Sequence, residues 1–310
     1  MKKLLTIILA AVAAVLAPIG VEPASAIANG QDAPEGSYPF SVRLTMTGIP
    51  AADHGTRDSW CSGALIATRW VITAGHCFRD ARDRRVSHTV ARRTVATIGR
   101  TDLAGAGGHE VDVVAVHQSE TADVALAELA SPVTDIAPLR VTDLPPVAGE
   151  TLRLTGYGQL GADSAAPARL QTGQFVVDRV GDGVLEVSGR SPRPDTSACP
   201  HDSGGPYFRE DPHGGPVLVG VVSTGPTCPH EGADLSARTD DLAGWIAGTI
   251  NAPPGLLSRI PAWVWIVGAA LAALLAALIF KALLPSTTRG RPEAAAEPRV
   301  LGDSGVSGVQ

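Results

Sequence analysis

The sequence predicts an all-β domain over residues 27–250 that closes with one short helix. Short apolar runs follow one another through this region, and each is bounded by Gly, Pro, Asp or Ser, which is typical of sandwiches and barrels. The runs cover residues 40–44, 64–73, 111–116, 151–155, 174–177 and 217–222. Residues 65–73 are rich in β-branched side chains, which favours strands over helix there.

The helix is predicted at the end of this region. Leu242, Trp245, Ile246 and Ile250 recur at helical spacing, and Asp240 or Asp241 can cap the first turn.

Residues 1–26 have the pattern of a secretory signal peptide. Two lysines precede an apolar stretch that ends in Ala24-Ser25-Ala26, so we expect cleavage to leave Ile27 as the mature N-terminus. An uncleaved anchor is the alternative, which the well-formed cleavage site disfavours.

A second apolar segment follows the β domain. After a Pro- and Gly-containing linker over 251–261, residues 262–280 carry no charge and are long enough to span a bilayer. We therefore predict a transmembrane helix over 262–284 and a disordered cytoplasmic tail over 285–310, because Lys281, Arg289 and Arg291 follow the span. A peripheral helix is disfavoured because the segment has no polar face.

Charge and cysteine content exclude several classes of protein. The net charge of −6 comes with no basic stripe, so we expect no nucleic-acid partner. The arginines of residues 82–93 are interrupted by Asp83 and read as a solvated loop. The four cysteines indicate two disulfides in an exported chain, with three possible pairings. They lack zinc-ligand spacing, and we expect no metal and no cofactor.

Three side chains could together hydrolyse a peptide bond through a serine. Such chemistry needs a hydroxyl, a base that takes its proton and a buried acceptor that orients the base. His76 follows an apolar strand, Asp123 is embedded among apolar residues and needs hydrogen-bond donors, and Ser203 precedes two glycines. The chain order His, Asp, Ser matches chymotrypsin-type enzymes, and no G-x-S-x-G surrounds Ser203.

Residues 27–250 resemble the trypsin/chymotrypsin family over their whole length. The matching stretches are IANG at 27–30, CSGALI at 61–66, TAGHC at 73–77, DVAL at 123–126, TGYG at 155–158, DSGGP at 202–206 and VSTG at 222–225. The resemblance implies two six-stranded antiparallel β-barrels with the active site between them. It implies that the first barrel supplies His76 and Asp123, that the second supplies Ser203, and that the disulfides are Cys61–Cys77 and Cys199–Cys228.

The resemblance also implies how the site is activated and where it departs from the family. The α-amino group of Ile27 would pair with Asp202, and the backbone N–H groups of His201 and Ser203 would form the oxyanion hole. The family has Gly where this chain has His201, and a β-carbon restricts the backbone there. This departure is the best argument for a weakened enzyme.

The substrate-binding residues implied by the resemblance are Ser197, Ala198, Ser223, Gly225 and Asp234. Thr224 stands where the family has Trp. Ser197 at the pocket floor favours an apolar side chain, whereas Asp234, if it reaches the rear wall, favours a basic one; both alternatives stay open.

We therefore expect a membrane-anchored extracellular serine endopeptidase, bacterial in origin, with a monomeric catalytic domain and protein or peptide substrates. The alternative is a catalytically impaired homologue that binds proteins through the same cleft. A membrane scaffold acting through its tail has no motif to support it.

Overall fold

A computed structural model of the chain describes residues 27–51, 54–159, 161, 167–211, 214–252, 275–276 and 279. The predicted signal peptide, most of the linker and the cytoplasmic tail lie outside these residues. The segment predicted to cross a membrane is described only at 275–276 and 279, which are helical and exposed. In the described part of the chain, no helix is both long and apolar enough to cross a bilayer.

The first half of the β domain is a closed barrel of six antiparallel strands. After a short β1 (Gln31–Asp32), the strands are β2 (Ser41–Pro50), β3 (Thr56–Ala67), β4 (Trp70–Thr73), β5 (Arg93–Ile98), β6 (His109–Gln118) and β7 (Ala125–Leu129). They close in the order β2-β3-β4-β7-β6-β5. Along β2, buried side chains such as Val42, Leu44 and Met46 alternate with partly exposed ones, as expected when one face of a strand lines a core.

The second half is another antiparallel six-stranded barrel. Its strands are β9 (Thr151–Gly156), β10 (Gln171–Val180), β11 (Val184–Ser191), β12 (Pro206–Arg209), β13 (Val217–Thr224) and β14 (Ala233–Arg238). They close in the order β9-β10-β11-β14-β13-β12, with β1 added beside β10 and the two-residue β8 (Arg140–Val141) parallel to β13. The all-β prediction and the two barrels are confirmed.

The predicted closing helix is present as α1 (Ala243–Ile250), but its expected aspartate cap is wrong. Leu242 occupies the N-cap position without a side-chain bond to the helix. Asp240 instead receives a 2.6 Å hydrogen bond from Arg238 Nη2, and this ion pair competes for the carboxylate that was expected to cap the helix.

One apolar core joins the two barrels. Buried side chains of the first barrel pack in the same cluster as Phe208, Leu218 and Val221 of the second, and Ile246 of α1 belongs to it too. A further cluster around Phe175 fills the second barrel. The barrels lie in one compact unit that ends at Ala252. The shared core therefore fixes the loops of one barrel in position relative to the loops of the other.

Candidate active site

The imidazole of His76 is held by the carboxylate of Asp123. Strand β4 ends at Thr73, and a 3₁₀ turn over Gly75–Cys77 presents His76. The Nδ1 atom of His76 lies 2.7 Å from Asp123 Oδ2, and the backbone N–H of His76 donates to Asp123 Oδ1 at 2.9 Å. A carboxylate at Nδ1 keeps the proton on that nitrogen, so the second ring nitrogen is left as the base.

Asp123 is kept ionised by its hydrogen-bond donors. Burial alone would raise the pKa of Asp123, but the hydrogen bonds and charge of His76 and a hydrogen bond from Ser223 outweigh it and lower the pKa to about 2. The Ser223 hydroxyl donates to Asp123 Oδ2 at 2.7 Å. Ser223 was expected only among the substrate-binding residues, so this contact was missed.

Arg85 was also missed, because the arginines of residues 82–93 were interpreted as a solvated loop. Arg84 fits that interpretation, since it is exposed and pairs with Asp80 at 2.7 Å. Arg85 does not fit it: its Nη1 donates to Ala122 O at 2.6 Å and lies 3.7 Å from Asp123 Oδ1. The sequence carries no signal that would separate these two neighbours.

Ser203 lies on the loop between β11 and β12 of the second barrel, and this loop contacts the first barrel. Its backbone carbonyl accepts the N–H of Ser62 on β3 at 3.0 Å. The next residue, Gly204, has φ +83°, and a β-carbon there would overlap Thr73 and the backbone of Ala74. Glycine is therefore required for the close approach. Ser203 and His76 line the same cavity, of about 180 Å³.

Each of the two disulfides that the resemblance implied lies near a candidate catalytic residue. Cys61 of β3 is bonded to Cys77, beside His76, and Cys199 is bonded to Cys228. Each disulfide thus joins a segment carrying a candidate catalytic residue to another part of its barrel.

His201, at the position where the family has Gly, adopts φ +76°. This left-handed conformation is unfavourable for a residue with a β-carbon. Its side chain is anchored: Nδ1 donates to the carbonyl of Trp60 at 2.7 Å, and the ring stacks on the indole. Its own carbonyl accepts the Ser62 hydroxyl at 3.1 Å. Burial lowers the pKa of His201, and the charges of Arg43 and Arg57 lower it further, although the bond to Trp60 opposes them.

A larger cavity, of about 330 Å³, opens beside Ser203. Four of the predicted substrate-binding residues line it: Ala198, Ser223, Gly225 and Asp234. Ser197 is not among the described lining residues. It is 1% exposed, and its hydroxyl accepts the N–H of His230 at 3.3 Å.

Asp202 is fully buried next to Ser203. Its two carboxylate oxygens accept the N–H groups of Gly158 at 2.8 Å and Cys199 at 3.0 Å. Burial raises the pKa of Asp202 to about 8 despite these bonds, and the charge of Asp234 adds to the rise. No cationic side chain of the described residues pairs with it. Ile27, its predicted partner, is also fully buried, in the apolar cluster of the second barrel.

Within the described residues, no three His, Cys, Asp or Glu side chains are arranged to hold a metal ion.

The comparisons with known proteins agree with this architecture. The trypsin family model matches residues 27–246, which is most of the chain. The chain therefore belongs to the trypsin family of serine proteases.

Curated relatives include mammalian serine proteases. The chain is 28% identical to serine protease 56 of Mus musculus over 74% of its own length and 39% of that protein. It is 25% identical to transmembrane protease serine 11G of Rattus norvegicus over 73% of its length and 55% of that protein. It is 29% identical to transmembrane protease serine 11C of Mus musculus over 65% of its own length and 48% of that protein. The chain thus spans about half the length of these relatives or less, and they lend no support to the expected bacterial origin.

Proposed function

We propose that the chain is an extracellular serine endopeptidase, anchored to a membrane by residues 262–284, in which His76, Asp123 and Ser203 are the catalytic residues. The observation that carries the proposal is the Asp123–His76 hydrogen bond of 2.7 Å next to a cavity shared with Ser203. An oriented imidazole that shares a cavity with a serine supports nucleophilic acyl transfer, which needs a base within reach of the hydroxyl.

In the first half of the reaction, Ser203 Oγ bonds to the carbonyl carbon of the peptide while its proton passes to Nε2 of His76. Asp123, with its pKa at about 2, stays ionised and stabilises the imidazolium. The negative carbonyl oxygen is bound by the backbone N–H groups of His201 and Ser203. The C–N bond then breaks, and His76 returns the proton to the leaving amine.

In the second half, a water molecule replaces the amine. His76 takes one proton of the water as its oxygen bonds to the acyl carbon, and the proton returns to Ser203 Oγ as the ester bond breaks. Protons balance over the cycle, and no cofactor is consumed.

Activation requires a cation for Asp202. Signal cleavage after Ala26 frees the α-amino group of Ile27, whose ordinary pKa of about 7.7–8.0 leaves much of it charged near neutrality. The complete burial of both Ile27 and Asp202 supports an ion pair between them, because a buried carboxylate without a cation is costly. On this basis export itself activates the enzyme.

Membrane anchoring is supported by the charge-free stretch over 262–280, with Trp263 and Trp265 at its start and Lys281 after its end. Two of the relatives are named transmembrane proteases. The catalytic domain then faces the outside of the cell and the tail faces the cytoplasm. Alkaline carbonate extraction tests this: an anchored chain stays in the membrane pellet, and release into the supernatant overturns the anchor.

A catalytically impaired homologue that binds peptides is the second candidate. It is favoured by one observation, the left-handed conformation of His201 at a proposed oxyanion donor. Losing such a donor lowers the rate by about 10²–10³.

A fluorophosphonate probe separates the two candidates. The full-length processed chain should be labelled, and Ser203→Ala should not, because the probe needs an activated nucleophile. Ser131→Ala, at an exposed serine away from the site, is the matched control and should label like the parent. Failure of correctly processed parent protein to label favours the binding homologue.

A further inference from the structure

Asp234, which lines the cavity beside Ser203, belongs to a second carboxylate–imidazole pair. Asp234 lies on β14 with its side chain 3% exposed, and its Oδ1 is 3.1 Å from Nε2 of His230. The other oxygen, Oδ2, accepts the N–H of Ala198 at 3.1 Å. A β-carbon on Gly225 would overlap Asp234 Oδ1, so the glycine leaves this carboxylate open to the cavity.

The hydrogen bonds of His230 determine how many protons the pair holds. Nδ1 of His230 is 3.3 Å from the carbonyl of Glu231, which can only accept a hydrogen bond, so Nδ1 carries a proton. Nε2 faces the Asp234 carboxylate, and that contact needs a proton as well. The pair thus holds two protons in this geometry: on an imidazolium beside a carboxylate, or shared between two neutral groups. Either way its net charge is zero.

The groups around Asp234 and His230 make the net charge of the pair depend on whether it holds one proton or two. Burial raises the pKa of Asp234, while the N–H of Ala198 and the charge of His230 oppose the rise. The other titratable groups that interact with Asp234 are Asp202 on the nucleophile loop and Tyr207 on β12. Among the described residues, His230 is the one cationic partner of Asp234 in the ion pairs. When the pair loses one proton, the net charge at the cavity wall formed by Asp234 therefore changes from zero to −1.

We propose that His230 determines primary substrate specificity as a built-in counter-ion: the cavity accepts an uncharged side chain while the His230–Asp234 pair holds both protons, and a basic side chain once one proton has left. This inference rests on the proposed function of the cavity as the primary substrate pocket. It gives one pocket two preferences, basic at higher pH and uncharged at lower pH. Histidine is the side chain whose charge ordinarily changes between about pH 5 and 8.

The direct test measures binding without catalysis. Benzamidine, a small aromatic cation, and benzamide, its neutral analogue, are titrated calorimetrically into full-length processed Ser203→Ala from about pH 5.5 to 8.5. Benzamidine affinity should rise about tenfold across this range, the equivalent of one pKa unit. Benzamide affinity should stay flat or fall. Equal pH profiles for the two ligands overturn the proposal without any further variant.

Two substitutions in the same background identify the pair as the source. His230→Gln keeps an N–H donor for Asp234 but cannot take a charge, so it should bind benzamidine more tightly than the parent at pH 5.5 and flatten the pH step. Asp234→Asn should lose about tenfold in benzamidine affinity at pH 8.5 and keep its affinity for benzamide. His109→Gln is the matched control, since His109 pairs with Asp135 on the exposed side of the first barrel. An unchanged step in His230→Gln sinks the proposal.

Catalysis gives a second readout in the active chain. The ratio of kcat/KM for an arginine peptide to that for the matching methionine peptide should rise about tenfold from pH 5.5 to 8.5. The ratio cancels any pH dependence of the catalytic step itself, because that step is common to both substrates. Absent fluorophosphonate labelling with an intact benzamidine step sinks only the proposed catalysis, whereas labelling without a step sinks only this inference.

Discussion

The imidazole of His201 lies parallel to the indole of Trp60, with ring centroids 3.6 Å apart and planes 15° from parallel. The contact joins the loop that carries Ser203 to β3 across 141 residues of sequence, and a 2.7 Å hydrogen bond reinforces it. It gives a physical reason for a non-glycine residue at a strained position. The stack and the hydrogen bond hold the His201 side chain and so restrict the loop, whereas glycine would leave the loop free to sample other conformations.

Trp60→Ala is therefore expected to impair transition-state stabilisation. Removing the stack frees His201 to relax its positive φ, which moves one of the two proposed oxyanion N–H groups, so kcat should fall by about 10²-fold with a smaller change in KM. In a His201→Gly background the same substitution should change kcat by less than about threefold, because the anchor is already absent. Peptide hydrolysis by the four proteins of this cycle is the measurement. Equal losses in both backgrounds would show that Trp60 acts independently of His201.

Asp123 makes the free energy of unfolding depend on pH in the acid range. Its pKa is lowered from 3.8 to about 2 in the folded chain, so its stabilisation is complete above about pH 4 and is lost as the pH falls toward 2. The loss should amount to about 2 kcal/mol. Chemical denaturation at pH 5 and pH 2.5 should show a loss of stability that is larger in the parent than in Asp123→Asn, and the difference is the contribution of Asp123. Asp143→Asn, at an exposed site, should behave like the parent.

Without a cation to pair with, Asp202 makes the stability of the fold depend on pH in the opposite direction. Because its pKa is raised to about 8, the folded chain without a partner favours the protonated carboxyl and loses stability as the pH rises from about 4 to 8. A chain beginning with one added Gly before Ile27 should show this loss in thermal melting. A chain beginning at Ile27 should show less of it and should react with fluorophosphonate at least about 10²-fold faster.

Asp202→Asn is the control for that comparison. It removes the titrating group, so the chains with and without the added Gly should then melt alike at pH 5 and pH 8. A persistent difference would assign the effect of the added residue to packing around Ile27 alone.

Gly225→Ala should separate nucleophile reactivity from substrate binding. The new β-carbon would overlap Asp234 Oδ1 and narrow the cavity, while Ser203 and His76 are left in place. Peptide hydrolysis should fall on the order of a hundredfold, because a displaced substrate loses its alignment with the nucleophile. Labelling by a small fluorophosphonate should change by less than about threefold. An equal loss in both assays would mean that the substitution disturbs the triad itself.

Much of the fold and the site could be predicted because the signals are local. Gly- and Pro-bounded apolar runs indicated the strands, and the order of His76, Asp123 and Ser203 matched the family before any geometry was known. The structure also explains why the TGYG stretch at 155–158 ends in glycine. Gly158 donates its N–H to the Asp202 carboxylate, and a β-carbon at this position would overlap that carboxylate.

The contacts that escaped prediction all depend on how distant loops meet. Ser223 and Asp123 are 100 residues apart, and neither neighbourhood encodes their hydrogen bond. His230 stands four residues before Asp234, a spacing without significance until His230 is known to pair with the Asp234 carboxylate that lines the cavity. Arg84 and Arg85 are alike in sequence, yet only the second reaches Asp123. The membrane helix and its topology stay predictions.

The hydrogen bond from Ser62 N–H to Ser203 O and the shared core around Phe208 have a mechanical consequence. The two barrels cannot hinge apart without breaking the hydrogen bond that holds Ser203 against the first barrel. The same coupling predicts that heat or denaturant unfolds both barrels in a single transition, without a form in which one barrel has melted and the other persists.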